Sequence, residues 1–249
     1  MTLPLAAKGD AATDLPTVAA FDFDGTLTRG GSIIPFLFSL RGVMPVLFAM
    51  LRTSPKLLRA ALVGGSAADD SKELLLGRVM AGMPETTVDK VADEFGRRHL
   101  ARRIRPEVRD RLAWHRAQGH KVVVVSASPE CYVRSAGEVL EVDSVMATRM
   151  AVDASGLLTG RYEGKNCRGA EKYARVVGWL RASGLSGVGS AQPVLWAYGN
   201  SRGDLRLLQA ADHGVDAGQL GRLGRLRRFP SLPHVLAGEK SADARKPRL

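Results

Sequence analysis

Cysteine is scarce in this chain: its 249 residues contain two, Cys131 and Cys167. They are too few and too far apart for a disulfide framework or a CxxC metal site, so two free thiols in a reducing compartment are expected. Aromatic residues make up only 6% of the chain, and none interrupts the basic run "RRHLARRIRPEVRDR" from Arg97 to Arg111. Without stacking surfaces among the charges, nucleic acid is a poor partner. Long apolar runs are missing too. The densest, "GSIIPFLFSLRGVMPVLFAMLRTSPKLLRAALVGG", is broken by Pro35, Arg41, Pro45 and Pro55, and no piece reaches the roughly 20 residues a bilayer-spanning helix needs. The opening "MTLPLAAKGDAATDLPT" lacks a signal-peptide core and reads as a flexible leader, residues 1–16. A cytoplasmic location is the expectation, and no internal repeat is present.

What remains is an ordinary globular composition, 45% hydrophobic and 24% charged, with an unusual formal charge of +11. The charge gathers in Arg97–Arg111, in Arg222–Arg228 and in the tail "ARKPRL". Such runs are solvated helix faces or attract anionic substrates and membranes.

Strands and helices alternate. "VAAFDF" opens with a strand over Val18–Phe23; "PEVRDRLAWHRAQG" reads as a helix and "KVVVVSAS" as a strand buried on both faces. A helix opened by Pro129 follows, then strand-like "VMATRMAV", a turn at "DASG" with a hairpin partner in "LLTGRYEG", a helix over Gly169–Ala182, the strand "VLWAYGNS" and the helix "GDLRLLQAAD". This alternation predicts an α/β fold with a doubly wound, mainly parallel Rossmann-like sheet whose ligands sit beyond the carboxyl ends of the strands. A mostly helical insertion follows the first strand directly. The expected organisation is a catalytic core of residues 17–31 and 104–217, a helical cap of 32–103, and a basic, Gly- and Pro-rich segment of 218–249 ending in a mobile tail. The apolar part of the insertion has two readings, buried cap helices or an interfacial hairpin with basic flanks.

Asp22 and Asp24 stand two apart at the end of the first strand. Two carboxylates there repel unless a cation sits between them, and oxygen ligands on a short spacing suit Mg²⁺. Gly25 and Thr26 let the chain turn and leave backbone N–H groups to hold an anion. A metal, an anion nest and a spare carboxylate describe phosphoryl transfer, with Asp22 as nucleophile and Asp24 as general acid and base. Ser126 and Ala127, at the end of "VVVVSA", offer a hydroxyl and backbone donors to a phosphoryl oxygen, and Lys172 could neutralise charge on Asp22. "YGNSRGD" supplies Asn200 and Asp204 as metal ligands or as residues that hold a ligand.

Those pieces, in this order, resemble the haloacid dehalogenase superfamily of phosphohydrolases: "FDFDGTLT" looks like its first motif, "VVVVSAS" its second, Lys172 in "RGAEK" its third and "GNSRGD" its fourth. The insertion is similar to the cap of the phosphoserine phosphatase-like branch. The resemblance implies Mg²⁺ held by the Asp22 carboxylate, the Asp24 backbone carbonyl and the side chain at position 200. It also implies that Arg78, in "LLLGRVMAGMP", reaches the substrate from the cap. Lys165 rivals Lys172 for the third motif, with Lys172 favoured. The sequence departs from the family in one place, since Asn200 stands where the fourth motif usually opens with aspartate. The implied activity is a Mg²⁺-dependent phosphomonoester phosphatase for a small, phosphoserine-like ester or a phospholipid phosphate, with peripheral contact to an anionic membrane as a companion expectation. The alternative is a phosphate-binding or regulatory module with a weakened metal site. Oligomeric state has no signature in the sequence.

Overall fold

The computed structural model describes residues 15–63, 66–186, 192–218, 226 and 228–243. The leader and the last basic residues fall mainly outside these. The central sheet contains β1 (Thr17–Phe21), β2 (Lys121–Pro129), β3 (Ser144–Thr148), β6 (Val194–Gly199) and β7 (His213–Asp216), in the order β3-β2-β1-β6-β7. Every neighbouring pair is parallel. The chain leaves β1 for β2 and β3 on one side and fills β6 and β7 on the other, so the topological switch lies between the carboxyl ends of β1 and β6. In a doubly wound sheet that crevice takes the ligand.

Alternation along the strands divides the core. Ala19, Phe21, Val122 and Val124 face one cluster, which also contains the cap, whereas Val18, Ala20, Val123 and Val125 face the other. Buried on both faces, β1 and β2 are apolar almost throughout, as parallel strands require. The second cluster is closed by Val176 and Leu180 of α7 (Ala170–Ala182) and by Leu207 and Leu208 of α8 (Leu205–Ala210).

Between β1 and β2 come α1 (Ile33–Arg41), α2 (Val43–Val63), α3 (Ser66–Met80), α4 (Glu85–Arg103) and α5 (Pro106–Ala117). After β2 the chain forms α6 (Glu130–Val139), which packs on α4. A separate antiparallel pair, β4 (Met150–Val152) and β5 (Leu158–Tyr162), lies against the insertion. Here Gly77 of α3 meets Gly160 so closely that a Cβ on Gly77 would come 2.4 Å from the Gly160 carbonyl oxygen.

Three expectations need correction. The first strand stops at Phe21, so both aspartates lie in the turn after it, where Thr26 and Thr28 donate their backbone N–H groups to the Phe23 carbonyl. "VMATRMAV" is not one strand: it breaks at Arg149, and only its first half joins the main sheet. "GDLRLLQAAD" begins as a single 3-10 turn, Arg202–Asp204, before α8, because Ser201 and Asp204 form a reciprocal capping box. The segment after Gly218 also includes α9 (Leu232–Asp243), anchored by the buried Leu232.

Candidate active site

The carboxyl ends of β1, β2 and β6 converge with the first turn of α7 on a cluster of buried polar side chains. Asp22 follows β1 directly and stays tied to the sheet through its N–H, which donates to the Tyr198 carbonyl of β6 (2.9 Å). Its carboxylate accepts from the Thr26 hydroxyl on Oδ2 (3.0 Å) and from Lys172 Nζ on Oδ1 (2.6 Å). Lys172 lies in the first turn of α7, only 1% exposed, and donates equally to Asp204 Oδ1 (2.6 Å). Lys165, the rival lysine, is exposed.

Asp204 is fully committed. While its Oδ1 holds Lys172, its Oδ2 accepts from the N–H groups of Asn200 (3.1 Å) and Ser201 (2.9 Å) and from the Ser201 hydroxyl (2.8 Å). With both oxygens engaged, Asp204 anchors the lysine and shapes the loop. Asn200 is different, for its side chain packs against Gly25. At φ +79° Gly25 has the left-handed backbone that favours glycine, and a Cβ there would stand 1.9 Å from Asn200 Nδ2. The turn is fixed from behind by Arg105, buried at the start of α5, which donates to the carbonyls of Gly25 (3.0 Å), Thr26 (3.1 Å) and Ala217.

Asp24 sits among hydroxyls. Its Oδ2 accepts from Ser32 (2.9 Å) and Ser128 (2.6 Å), and the Ser32 hydroxyl is hydrogen-bonded to Tyr132 (2.8 Å). Its Oδ1 is buried with no hydrogen-bond partner. Ser126 is buried beside this group and accepts from the Ser128 N–H (3.1 Å). The Ala127 carbonyl accepts from Thr148 (3.0 Å) and from Lys72 of α3, a tie between insertion and core. Arg78 does not join the cluster: its guanidinium donates to Thr53 on α2 (2.5 Å), inside the insertion. The Arg78 guanidinium is held here by a neighbouring helix of the insertion.

The electrostatics are unbalanced. Burial and the nearby Asp204 carboxylate push Asp22 up to about 7, against the opposing pull of Lys172. Burial alone would lower Lys172, but the Asp204 and Asp22 carboxylates outweigh it and raise the ammonium above its ordinary value. Asp204 is held below the usual carboxylate range, its own burial overcome by Lys172. One ammonium therefore serves two buried carboxylates, with a third nearby. That excess of negative charge fits a divalent cation. The donors also fit: the Asp22 carboxylate, the Asp24 backbone carbonyl and the amide oxygen of Asn200 are hard oxygen ligands of the kind Mg²⁺ takes. Among the described residues no three His, Cys, Asp or Glu side chains form a metal cluster.

Sequence reasoning missed Ser32, Ser128, Tyr132 and Arg105. One signal was available: in "SAS", Ser126 and Ser128 are two apart on a strand and share a face. Cys131 and Cys167 are both free thiols.

The family model for haloacid dehalogenase-like hydrolases matches residues 19–209. The chain is 31% identical over 197 residues to protein CicA of Caulobacter vibrioides, covering 79% of this chain and 84% of that protein. It is 29% identical over 223 residues to a probable phosphatase of Mycobacterium tuberculosis, covering 84% and 71%. Among solved structures, a Bordetella pertussis protein of unknown function superposes with a TM-score of 0.68 at 21% identity, over 92% of this chain and 96% of that one. A substrate-bound phosphoserine phosphatase superposes with a TM-score of 0.59 at 17% identity, over 91% and 98%. At these identities the two structures speak for the fold.

Proposed function

The chain belongs to the haloacid dehalogenase-like hydrolases, with the fold of their phosphoserine phosphatase-like branch, and we propose that it is a Mg²⁺-dependent phosphomonoester phosphatase acting through a phospho-aspartate on Asp22. The observation that carries this reading is the buried Asp22–Lys172–Asp204 cluster, with the unpartnered Asp24 oxygen beside it. Nucleophile, charge stabiliser and acid/base candidate all sit at the edge of the sheet where ligands bind.

In the first step the Asp22 carboxylate attacks phosphorus and the ester P–O bond breaks. Asp24 delivers its proton to the leaving oxygen. In the second step Asp24, now a carboxylate, takes a proton from the water that attacks the phospho-aspartate, the bond from phosphorus to Asp22 breaks, and inorganic phosphate leaves. Ser32 and Ser128 hold Asp24 Oδ2, so Oδ1 is the oxygen free to carry that proton. Lys172 fixes the Asp22 carboxylate and offsets charge on the transferring group, which Ser126, Ala127 and the Gly25–Thr26 turn would cradle. Mg²⁺, held by the Asp22 carboxylate, the Asp24 backbone carbonyl and Asn200, would supply neutralisation of the phosphoryl charge. The core, 17–31 with 104–217, carries this chemistry, and the cap, 32–103, selects a small phosphate ester or a phospholipid phosphate.

The test is p-nitrophenyl phosphate hydrolysis by the native chain and by Asp22→Asn. Activity that requires Mg²⁺ and falls at least ~10³-fold in the variant is expected. Metal-independent turnover, or turnover that survives the substitution, would overturn the proposal.

A further inference from the structure

The outer face of α2 is not explained by catalysis. Val46, Ala49 and Thr53 point inward and are buried. On the opposite side Val43 is 52% exposed, Met44 74%, Leu47 45%, Phe48 59% and Leu51 68%. These residues follow helical spacing, so they form one continuous apolar stripe. A helix that is apolar on both sides is ordinarily buried on both, and an exposed stripe of this kind marks an interaction surface.

Charge indicates what the stripe meets. Between Asp24 and Asp69 the sequence has five basic residues, Arg29, Arg41, Arg52, Lys56 and Arg59, and no acidic one. Arg52 belongs to the stripe itself, its guanidinium 5.4 Å from the centre of the Phe48 ring. A second copy of the chain docked here by two-fold symmetry would bring this cationic segment against itself. An anionic bilayer would instead receive the apolar side chains and neutralise the arginines. No helix among the described residues is long and apolar enough to cross a membrane, which leaves α2 to lie along the surface.

We propose that α2 docks the protein on an anionic phospholipid surface, with Met44, Leu47 and Phe48 in the headgroup–acyl boundary and Arg52 at the level of the lipid phosphates. The surface stands independently of the phosphatase reading, since none of these residues touches the carboxylate cluster.

Flotation of the full chain tests it, with vesicles of phosphatidylcholine alone and of phosphatidylcholine mixed in equal parts with phosphatidylglycerol. The native chain is expected to rise with the anionic vesicles and stay behind with the neutral ones. The double variant Met44→Glu/Phe48→Glu is expected to lose partitioning by about tenfold or more. Both positions are exposed, so the variant should keep the native circular dichroism and p-nitrophenyl phosphate activity. Four results would overturn the proposal: no flotation of the native chain, equal flotation with neutral vesicles, full flotation of the variant, or a native dimer that the variant dissolves without any vesicle binding. Loss of the phosphatase reading would leave the flotation result untouched.

Discussion

Tyr198 joins two buried polar clusters. At the carboxyl edge of the sheet its backbone carbonyl accepts from Asp22, beside an ammonium shared by two carboxylates. On its side-chain end the Tyr198 hydroxyl meets Arg111 Nε (2.6 Å) and His115 Nε2 (2.8 Å), and His115 Nδ1 meets His120 Nδ1 (2.8 Å). The second cluster holds its cation among aromatic rings. Both nitrogens of His115 have side-chain partners, and the Arg111 guanidinium carbon lies 3.9 Å from the centre of the Trp114 ring and 4.8 Å from that of Trp196. The front cluster has the opposite sign, with more anions than cations, and Asp24 Oδ1 in it has no hydrogen-bond partner. Burial is similar in both, so what marks the front cluster as a site is an excess of carboxylates, which a divalent cation can neutralise, at the carboxyl edge of the sheet where ligands bind.

Lys172→Met breaks this contrast most severely. Removing the only ammonium between Asp22 and Asp204 leaves two buried carboxylates facing each other, which should cost about 3–5 kcal/mol. Urea denaturation measures the loss, and adding Asp204→Asn should recover part of it. Hydrolysis should fall with the lysine in either background. A loss below about 1 kcal/mol would mean that water or local rearrangement already relieves the carboxylates.

The two clusters should also answer pH in opposite directions. Asp22, raised from 3.8 to about 7, binds its proton more tightly folded than unfolded. In metal-free protein its contribution is therefore lost as pH rises through that window. His115, lowered from 6.5 to about 2 by burial and by Arg111, binds its proton less tightly when folded, and its contribution is lost as pH falls below the ordinary value. In EDTA, Asp22→Asn should remove the first effect and leave stability rising from about pH 5 to about pH 7, by on the order of 2 kcal/mol relative to the native chain. His115→Phe should do the reverse. Denaturation of the three proteins at both pH values decides it, and parallel slopes would refute the opposition.

How much of this was legible in the sequence follows the distance over which each contact forms. Asp22, Asp24 and Asn200 closely follow a strand, Ser126 lies in the second half of β2 and Lys172 begins a helix, and apolar runs such as the four valines before Ser126 reveal those places without tertiary knowledge. Ser32, Ser128 and Tyr132 gain their meaning only when α1, β2 and α6 meet near Asp24, with Ser128 104 residues from it along the chain. Arg105 reaches 112 residues to Ala217, and nothing in a basic run distinguishes it from its solvated neighbours. Residue type gives a side chain's chemistry but not its partner, and neither the hold of Asp204 on Lys172 nor that of Arg78 on Thr53 can be read from the sequence. The missed β7 has only four residues, while α9 did carry a start signal in Ser231 followed by Pro233 near its first turn.

The smallest expected effect bears most directly on the front cluster's open charge. Asn200 offers a cation an amide oxygen but no negative charge, and its close packing against Gly25 keeps it in place. Asn200→Asp is nearly the same size, so the packing should survive and only the charge change. An added carboxylate should lower the Mg²⁺ concentration for half-maximal hydrolysis severalfold, less than about 1.4 kcal/mol in binding. The same charge adds repulsion when the metal is absent, so the variant should be less stable than the native chain in EDTA and recover more on adding Mg²⁺. An unchanged or higher Mg²⁺ requirement would remove position 200 from the metal's oxygens. Tighter metal binding with a weaker apo fold would show that the native asparagine trades metal affinity for a cluster less strained by like charges.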